Sequence, residues 1–280
     1  MAVFRSRLSR RAAYAVTAVM VTALFVVPLV TMATGSLRKP GTPPPRALEI
    51  VADPVTIEAY RNAFELAPLA RALVNSAFVA LIFVPIAVIV ASMAGYAIAR
   101  AAPVARRRAV GALFVLLTIP VTVLWIARFA IFDALGLVGT YVPLIAPALM
   151  GGSPFAVLLY AFAFSRIPPE LYDAARLEGA SELAVWRRVA MPLARGTTAA
   201  AGMLAFVQCW SNFIDPLLYL RDERTYTAPL ALRYLEQLGP TNWPVLLAGA
   251  VVVTVPVVAV FLFAQRAFLQ EEKGLAWIGR

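Results

Sequence analysis

The 280-residue chain is 61% hydrophobic and only 14% charged, with a mean hydropathy of +0.80, which excludes an ordinary soluble domain and indicates an all-α integral membrane protein. It has no histidine and a single cysteine, Cys209, so the commonest metal ligand and general base is missing and no disulfide framework exists. No GxxxxGK[ST] phosphate loop occurs, so the chain does not hydrolyse ATP through that motif; no catalytic or metal-binding set is expected.

Six apolar runs reach the length needed to cross a bilayer, about 20 residues: roughly 12–34, 72–99, 109–131, 142–164, 197–220 and 244–268. Helices are expected throughout, because backbone exposed to lipid must satisfy its own hydrogen bonds. The first run follows Arg5, Arg7, Arg10 and Arg11 and is about twice the length of a signal-peptide core, so it reads as an uncleaved span. Pro28, Pro85, Pro120 and Pro256 are expected to bend their spans. The whole chain, 1–280, is expected to form one transmembrane domain.

After the first run, KPGTPPPR forms a stiff extended piece and DPVTIEAYRNAF a short helix following Asp53 and Pro54. Lys and Arg concentrate in alternate connections: Arg5 to Arg11, Arg100 to Arg108, Arg166 to Arg195 and Arg266 to Arg280. On the positive-inside rule these segments are cytoplasmic, giving an N-in/C-in topology. The other side carries arginines such as Arg128, largely offset by Asp and Glu. The net charge of +10 thus reflects topology, and no nucleic-acid partner is expected.

The connection between the fourth and fifth runs, about 165–196, is of mixed polarity. Pro168 and Pro169 end the fourth span and can start a helix. Glu170 and Asp173 lie near its first turn, where the helix dipole favours negative charge, and Asp173 can pair with Arg176. Leu171, Ala174 and Ala175 are expected on one side. Gly179 is placed to end the helix in a left-handed turn, and Ser181 to cap a second helix with Glu182 in its first turn. Leu183, Trp186 and Ala190 are expected on one face, Arg187 and Arg188 elsewhere, and Pro192 is expected to stop the helix. Helices this short need a docking surface: lipid headgroups, for which Trp186, Arg187 and Arg188 are ordinary anchors, the protein's own bundle, or a cytoplasmic partner.

In DAARLEGASELAVWRRVAMP, Asp173, Ala174 and Ala175 take the EAA places of a spaced motif, Gly179 its glycine, and Val189, Met191 and Pro192 its closing I-x-L-P. The segment resembles the signature of membrane-spanning permease subunits of bacterial ABC importers, with aspartate for glutamate as a mild departure. TIEAYRNAF, LGLVGTYVPLIAP, WSNFIDPLLYL and NWPVLLAGAVVVTVPVVAVFLFAQRAF are similar to the MalG-like carbohydrate-importer group.

The resemblance implies a type I ABC importer permease fold in a bacterial inner membrane, with six spans and a cytoplasmic coupling helix between spans four and five. It implies a heterodimer with a second homologous permease, two ATPase subunits that carry ATP and Mg, and an extracytoplasmic solute-binding protein. Coupling to the ATPase would fall to Glu170, Asp173, Ala174, Ala175, Glu178, Gly179, Ala180, Trp186 and Pro192. No cofactor is expected on this chain itself, and membrane lipid is its remaining partner.

In the fifth run, Gln208, Trp210, Asn212 and Asp215 cluster. Polar groups in a span are costly and often line a pathway, and an aromatic ring beside amides suits a sugar; interhelical hydrogen bonding is the equal alternative. The expected function is ATP-driven uptake of a sugar or polyol by alternating access. The alternatives are a non-sugar solute such as a glycerophosphodiester, or a secondary transporter, which calls for buried acids at midplane and inverted repeats.

Overall fold

The computed structural model describes residues 2–44, 54–237, 239 and 242–278, of which 2–13 and 266–278 are described by their backbone alone. Among the described residues all regular structure is helical. The chain divides into two compact units, one comprising the described parts of Met1–Leu69 and Leu232–Thr254, the other those of Ala70–Ala231 and Val255–Arg280.

The first unit contains α1 (Ala2–Gly35) and the short helix expected in the following loop, α2 (Glu58–Leu66). Asp53, expected just ahead of α2, lies outside the described residues. Pro28 sits inside α1, and the side chains from Tyr14 to Val30 are all exposed, as suits a lipid-facing segment. At its end Ser36 is fully buried. Its hydroxyl donates to the Ala33 carbonyl at 2.7 Å, so the 2.8 Å contact with Tyr60 is a bond that the phenol donates. Leu37 also accepts from the Thr56 amide at 2.8 Å, which ties the end of α1 to the approach of α2. A Cβ at Gly35 would overlap Leu247 and Trp243, so close approach requires the glycine there.

The second unit is built on α3 (Leu69–Arg100), which carries Pro85 inside it. It is followed by α4 (Pro103–Thr118) and α5 (Leu124–Ala134), joined through a 3-10 turn at Val121–Val123. This pair occupies the span expected over 109–131, bent at Pro120 as expected. Ile119 and Pro120 are extended, and the two halves are bent by 76°, because Pro120 cannot donate to the preceding turn.

Next come α6 (Val142–Ile145), a 3-10 segment at Ala146–Met150, and α7 (Pro154–Ser165). Gly151 and Gly152, both at positive φ (78° and 70°), separate the last two, and the Ser153 hydroxyl caps α7 by accepting from the Phe155 amide. The 165–196 connection holds α8 (Pro169–Leu177), α9 (Glu182–Val185), a π turn at Trp186–Ala190 and α10 (Met191–Leu193). Then α11 (Arg195–Trp210) and α12 (Ile214–Tyr219) divide the run expected as the fifth span. A 3-10 turn at Glu223–Thr225 leads to α13 (Ala228–Glu236), and α14 (Trp243–Ile278) closes the chain.

Four helical segments among the described residues are long and apolar enough to cross a membrane, or five if the bent α4–α5 pair counts as one. The expected run at 197–220 is interrupted at Ser211–Phe213, where Asn212 turns its side chain onto the backbone of Asp215.

α3 and α7 pack closely. A Cβ at Gly95 would lie 2.5 Å from Tyr160 Cβ and 2.8 Å from the Ala161 amide nitrogen, and Tyr160 and Phe164 stack beside it with ring centroids 5.5 Å apart. The same cluster takes in Tyr172, Val185, Ala190 and Ala201, so the 165–196 hairpin is packed into the body of the unit. Asn75 donates to the carbonyls of Arg224 and Tyr226, each at 2.9 Å, and Ser76 accepts from the Ala228 amide. Both act as fasteners for the loop beyond α12.

Candidate functional site

The hairpin is assembled from local rules. α8 begins with Pro169 and carries Glu170 in its first turn and Arg176 in its last, each placed favourably for the helix dipole. It ends as the sequence foretold. Gly179 adopts φ +83°, its amide bonds the Arg176 carbonyl at 2.9 Å, and the Ala180 amide bonds that of Ala175 at 3.0 Å, the paired bonds of a Schellman turn. Ser181 then caps α9 by accepting from Ala184 at 3.3 Å.

Pro192 departs from expectation. It does not stop the second arm; helical structure continues across it into α10. Having no N–H, Pro192 cannot bond the Arg188 carbonyl. The chain widens to a π turn just before it, with the Met191 amide reaching back five residues to Trp186.

The expected faces are redrawn in part. On α8, Tyr172 is buried and Ala175 half-buried, whereas Leu171, Asp173 and Ala174 are exposed; Leu171, Ala174 and Ala175 share a side of the helix as expected, and the large aromatic ring of Tyr172 takes the innermost position. On the second arm Val185 and Ala190 are fully buried and Trp186 half-buried, while Leu183 is 60% exposed. The inward turn of Trp186 leaves Leu183 off the face expected for it.

Five contacts that sequence reasoning missed hold the hairpin. The Tyr172 hydroxyl donates to the Phe164 carbonyl at 3.1 Å; burial raises the pKa of this phenol, which keeps it a neutral donor. The Arg100 guanidinium lies 4.6 Å from the Tyr172 ring centroid, and Tyr96 meets the same ring edge-on. Glu182 uses both carboxylate oxygens: Oε2 accepts from the Tyr96 hydroxyl at 2.9 Å, and Oε1 from Arg176 Nε at 2.8 Å. The Tyr96 bond first, then Arg176, hold the Glu182 carboxyl below its ordinary range. Asp173 pairs with Arg176 at 3.7 Å, the i,i+3 contact expected.

The outward side is different in character. Leu177 is 90% exposed at the tip, among exposed Glu170, Asp173 and Glu178. Arg187 and Arg188 are exposed on the other arm. This is an apolar knob with an acidic rim on one arm and a basic edge on the other.

The four candidate pathway residues do not converge on one chamber. Gln208 is exposed and donates to the Gly152 carbonyl at 3.3 Å. Trp210 is buried and stacks on Phe206 at 5.3 Å. Asn212 donates to Asp215 at 2.9 Å, and Asp215 faces Arg128 at 3.5 Å while Arg128 also donates to the Pro143 carbonyl at 3.2 Å. A cavity lined by Ser76, Leu144, Cys209, Asn212 and Thr227 holds about 10 Å³, room for one water at most and none for a sugar. Among the described residues no group of three or more His, Cys, Asp or Glu is placed to hold a metal.

Comparison with known proteins matches residues 84–271 to the family of binding-protein-dependent transport system inner membrane components. The chain is similar to the arabinooligosaccharides transport system permease protein AraQ of Halalkalibacterium halodurans, 33% identical over 195 residues that cover 70% of this chain and 69% of that protein. It is also similar to the trehalose transport system permease protein SugB of Mycobacterium tuberculosis, 31% identical over 92% of this chain and 94% of that protein. A chain in the crystal structure of a bacterial ABC transporter involved in import of the acidic polysaccharide alginate superposes with a TM-score of 0.73 at 20% identity, over 92% of this chain and 97% of that one. That likeness establishes the fold.

Proposed function

The chain belongs to the binding-protein-dependent transport system inner membrane component family, and on that premise we propose that it is a permease subunit of an ATP-driven sugar importer in a bacterial inner membrane. It carries no catalysis itself. ATP and Mg would be handled by two ATPase subunits, the second half of the channel by a homologous permease, and delivery by a solute-binding protein outside. The six-span, N-in/C-in topology and the single transmembrane domain belong to this reading.

One observation carries it. The 169–193 hairpin is tied inward by Tyr172, Tyr96 and Arg100 and offers outward an exposed Leu177 on an arm that also exposes Glu170, Asp173 and Glu178. An amphipathic helix presented in this way fits a groove on another protein. Lipid headgroups are the poorer occupant: the acidic rim is repelled by anionic lipid, and Trp186 turns into the protein rather than outward. Gly179 fixes the angle of the arm, and Pro192 with its π turn joins the arm to α11. ATPase closure would then move the permease as a rigid body.

The solute class rests on relatives named for arabinooligosaccharide and trehalose transport. We assign Gln208, Trp210, Asn212 and Asp215 to the translocation pathway. Gln208, exposed beside the helix break at Gly151–Gly152, has the most support, since irregular backbone at membrane depth suits a lined passage.

The test is purification of the chain from its native membrane in mild detergent. Expected are a stoichiometric ATPase partner and loss of uptake in Gly179→Asp, with membrane insertion retained. Absence of an ATPase partner, together with unchanged uptake in that variant, would contradict the reading.

A further inference from the structure

We infer that Tyr96, Arg100 and Glu182 are positioning residues that clasp the hairpin to the end of α3, so that displacement received at Leu177 passes into α3 instead of being absorbed within the loop. The inference rests on the proposed docking of the hairpin to an ATPase.

The geometry is that of a three-way tie. Glu182 Oε1 takes Arg176 of the first arm, Oε2 takes Tyr96 of α3, and Glu182 itself belongs to the second arm. One carboxylate thus joins two arms and one long helix, with contacts 86 residues apart in sequence. The first arm is tied to α3 a second time, by the Arg100 guanidinium over Tyr172. Arg100 Nε is buried there without a hydrogen-bond partner, a cost tolerated because the ring face receives the cation. Pro103, Val104 and Ala105 beyond α3 are exposed and take no part in this tie.

Stability is not what the clasp adds. The Arg176 and Glu182 side chains are 39% and 59% exposed, and ion pairs so exposed contribute little. Its consequence is directional. Tyr172, Val185 and Ala190 anchor the arms in the core, but the turn between them has open space at Gly179, so without the clasp a push at the tip would bend the hairpin ahead of those anchors. With it, the nearest stiff element is the 32-residue α3.

The test uses the complete transporter, purified and reconstituted in proteoliposomes with its solute-binding protein, and reads ATP hydrolysed per solute imported. Tyr96→Phe and Glu182→Ala are expected to retain subunit assembly and ATP hydrolysis within about twofold while uptake falls about fivefold or more, a coupling effect of ordinary size between sites. Glu182→Gln keeps an acceptor for Tyr96 and loses the charge, so an intermediate ratio is expected.

In a Cys209→Ser background, cysteines replacing Tyr96 and Glu182 and bridged by a reversible thiol cross-linker should restore uptake, and reduction should remove it again. An unchanged ATP-to-solute ratio in Tyr96→Phe and Glu182→Ala overturns the inference, as does a bridge that blocks uptake, because the hairpin must then flex against α3. Either result leaves the importer reading intact as long as the ATPase co-purifies; loss of that partner strikes the reading itself.

Discussion

The phenol of Tyr172 donates to the Phe164 carbonyl at 3.1 Å across two prolines. In an uninterrupted helix that carbonyl would take the amide of residue 168, but Pro168 has none. The Ile167 amide supplies a 3.3 Å contact, and the Tyr172 hydroxyl completes it, so the side chain that anchors the hairpin also repairs the end of α7. Tyr172→Phe is expected to cost about 1 kcal/mol. Tyr172→Ala, which also empties a fully packed site, should cost about 3–5 kcal/mol. Thermal unfolding followed by size-exclusion chromatography orders the two.

Gly179 has φ +83° and open space around it, so substitution there is penalised by backbone conformation and not by overlap. Gly179→Ala should cost about 1–2 kcal/mol of local order, and Gly179→Asn less, since asparagine tolerates the left-handed region. Uptake should therefore rank glycine, asparagine, alanine, valine, with equal membrane insertion in all four. A valine variant with full uptake would show that the turn angle is unimportant.

At Gly95 the penalty is steric. A methyl there meets Tyr160 Cβ and the Ala161 backbone, neither of which can swing aside, so Gly95→Ala should destabilise by about 1–3 kcal/mol. Gly111, with nothing within 4 Å, provides the control: Gly111→Ala should leave the unfolding temperature unchanged or raise it.

Asp215 and Arg128 form a buried pair, with side chains 11% and 18% exposed. Removing one partner strands the other, a loss of about 3–5 kcal/mol for buried pairs in general; Asp215→Asn should approach that range. Adding Arg128→Gln should recover part of it. Recovered stability with uptake still lost would support the assignment of Asp215 to the pathway, and recovery of both would make the pair purely structural.

The clasp gives the hairpin a pH dependence. Glu182 faces Tyr96, Arg176 and Arg100, with Asp173 on the far side of Arg176, and its carboxyl is held below the ordinary value of 4.5, first by the Tyr96 hydrogen bond and then by Arg176. A group whose pKa is lowered by folding contributes order above its unfolded pKa and loses it as pH falls through the folded one. A spin label on Leu177→Cys in a Cys209→Ser background should be equally restrained from pH 8 to about 5 and loosen below that. In Glu182→Gln this transition should be absent.

Much of the hairpin was legible because its rules are local. Gly179 as a turn, Ser181 as a cap and the Asp173–Arg176 pair each depend on residues within a few positions. Tyr172 as an anchor was not legible, because its partners Arg100 and Tyr96 come from α3, and one aromatic on a short helix carries no sign of them. The π turn was hidden for a related reason: Pro192 reads as a stop, and whether the chain stops or widens depends on Val185 and Ala190 being buried against the bundle.

The spans show the same division. Apolar length located the runs and Pro120 marked the bend that reaches 76°, but the break at Ser211–Phe213 carries no proline and rests on the Asn212 side chain taking the Asp215 amide. Arg128 read as a loop charge offset by loop acids, whereas it pairs with Asp215 inside the fold. The family resemblance, by contrast, was carried by spacing alone and is upheld by the match over residues 84–271.

The central claim is that the exposed tip of the hairpin seats in an ATPase. Its most direct measurement is cross-linking in native membranes from a single thiol at Leu177→Cys, with Cys209→Ser, followed by mass spectrometry of the adduct. The expected product joins this chain to a cytoplasmic ATPase subunit, and its yield should change when ATP is bound. An adduct formed only with lipid or with another copy of the chain, at a yield indifferent to ATP, would contradict the account.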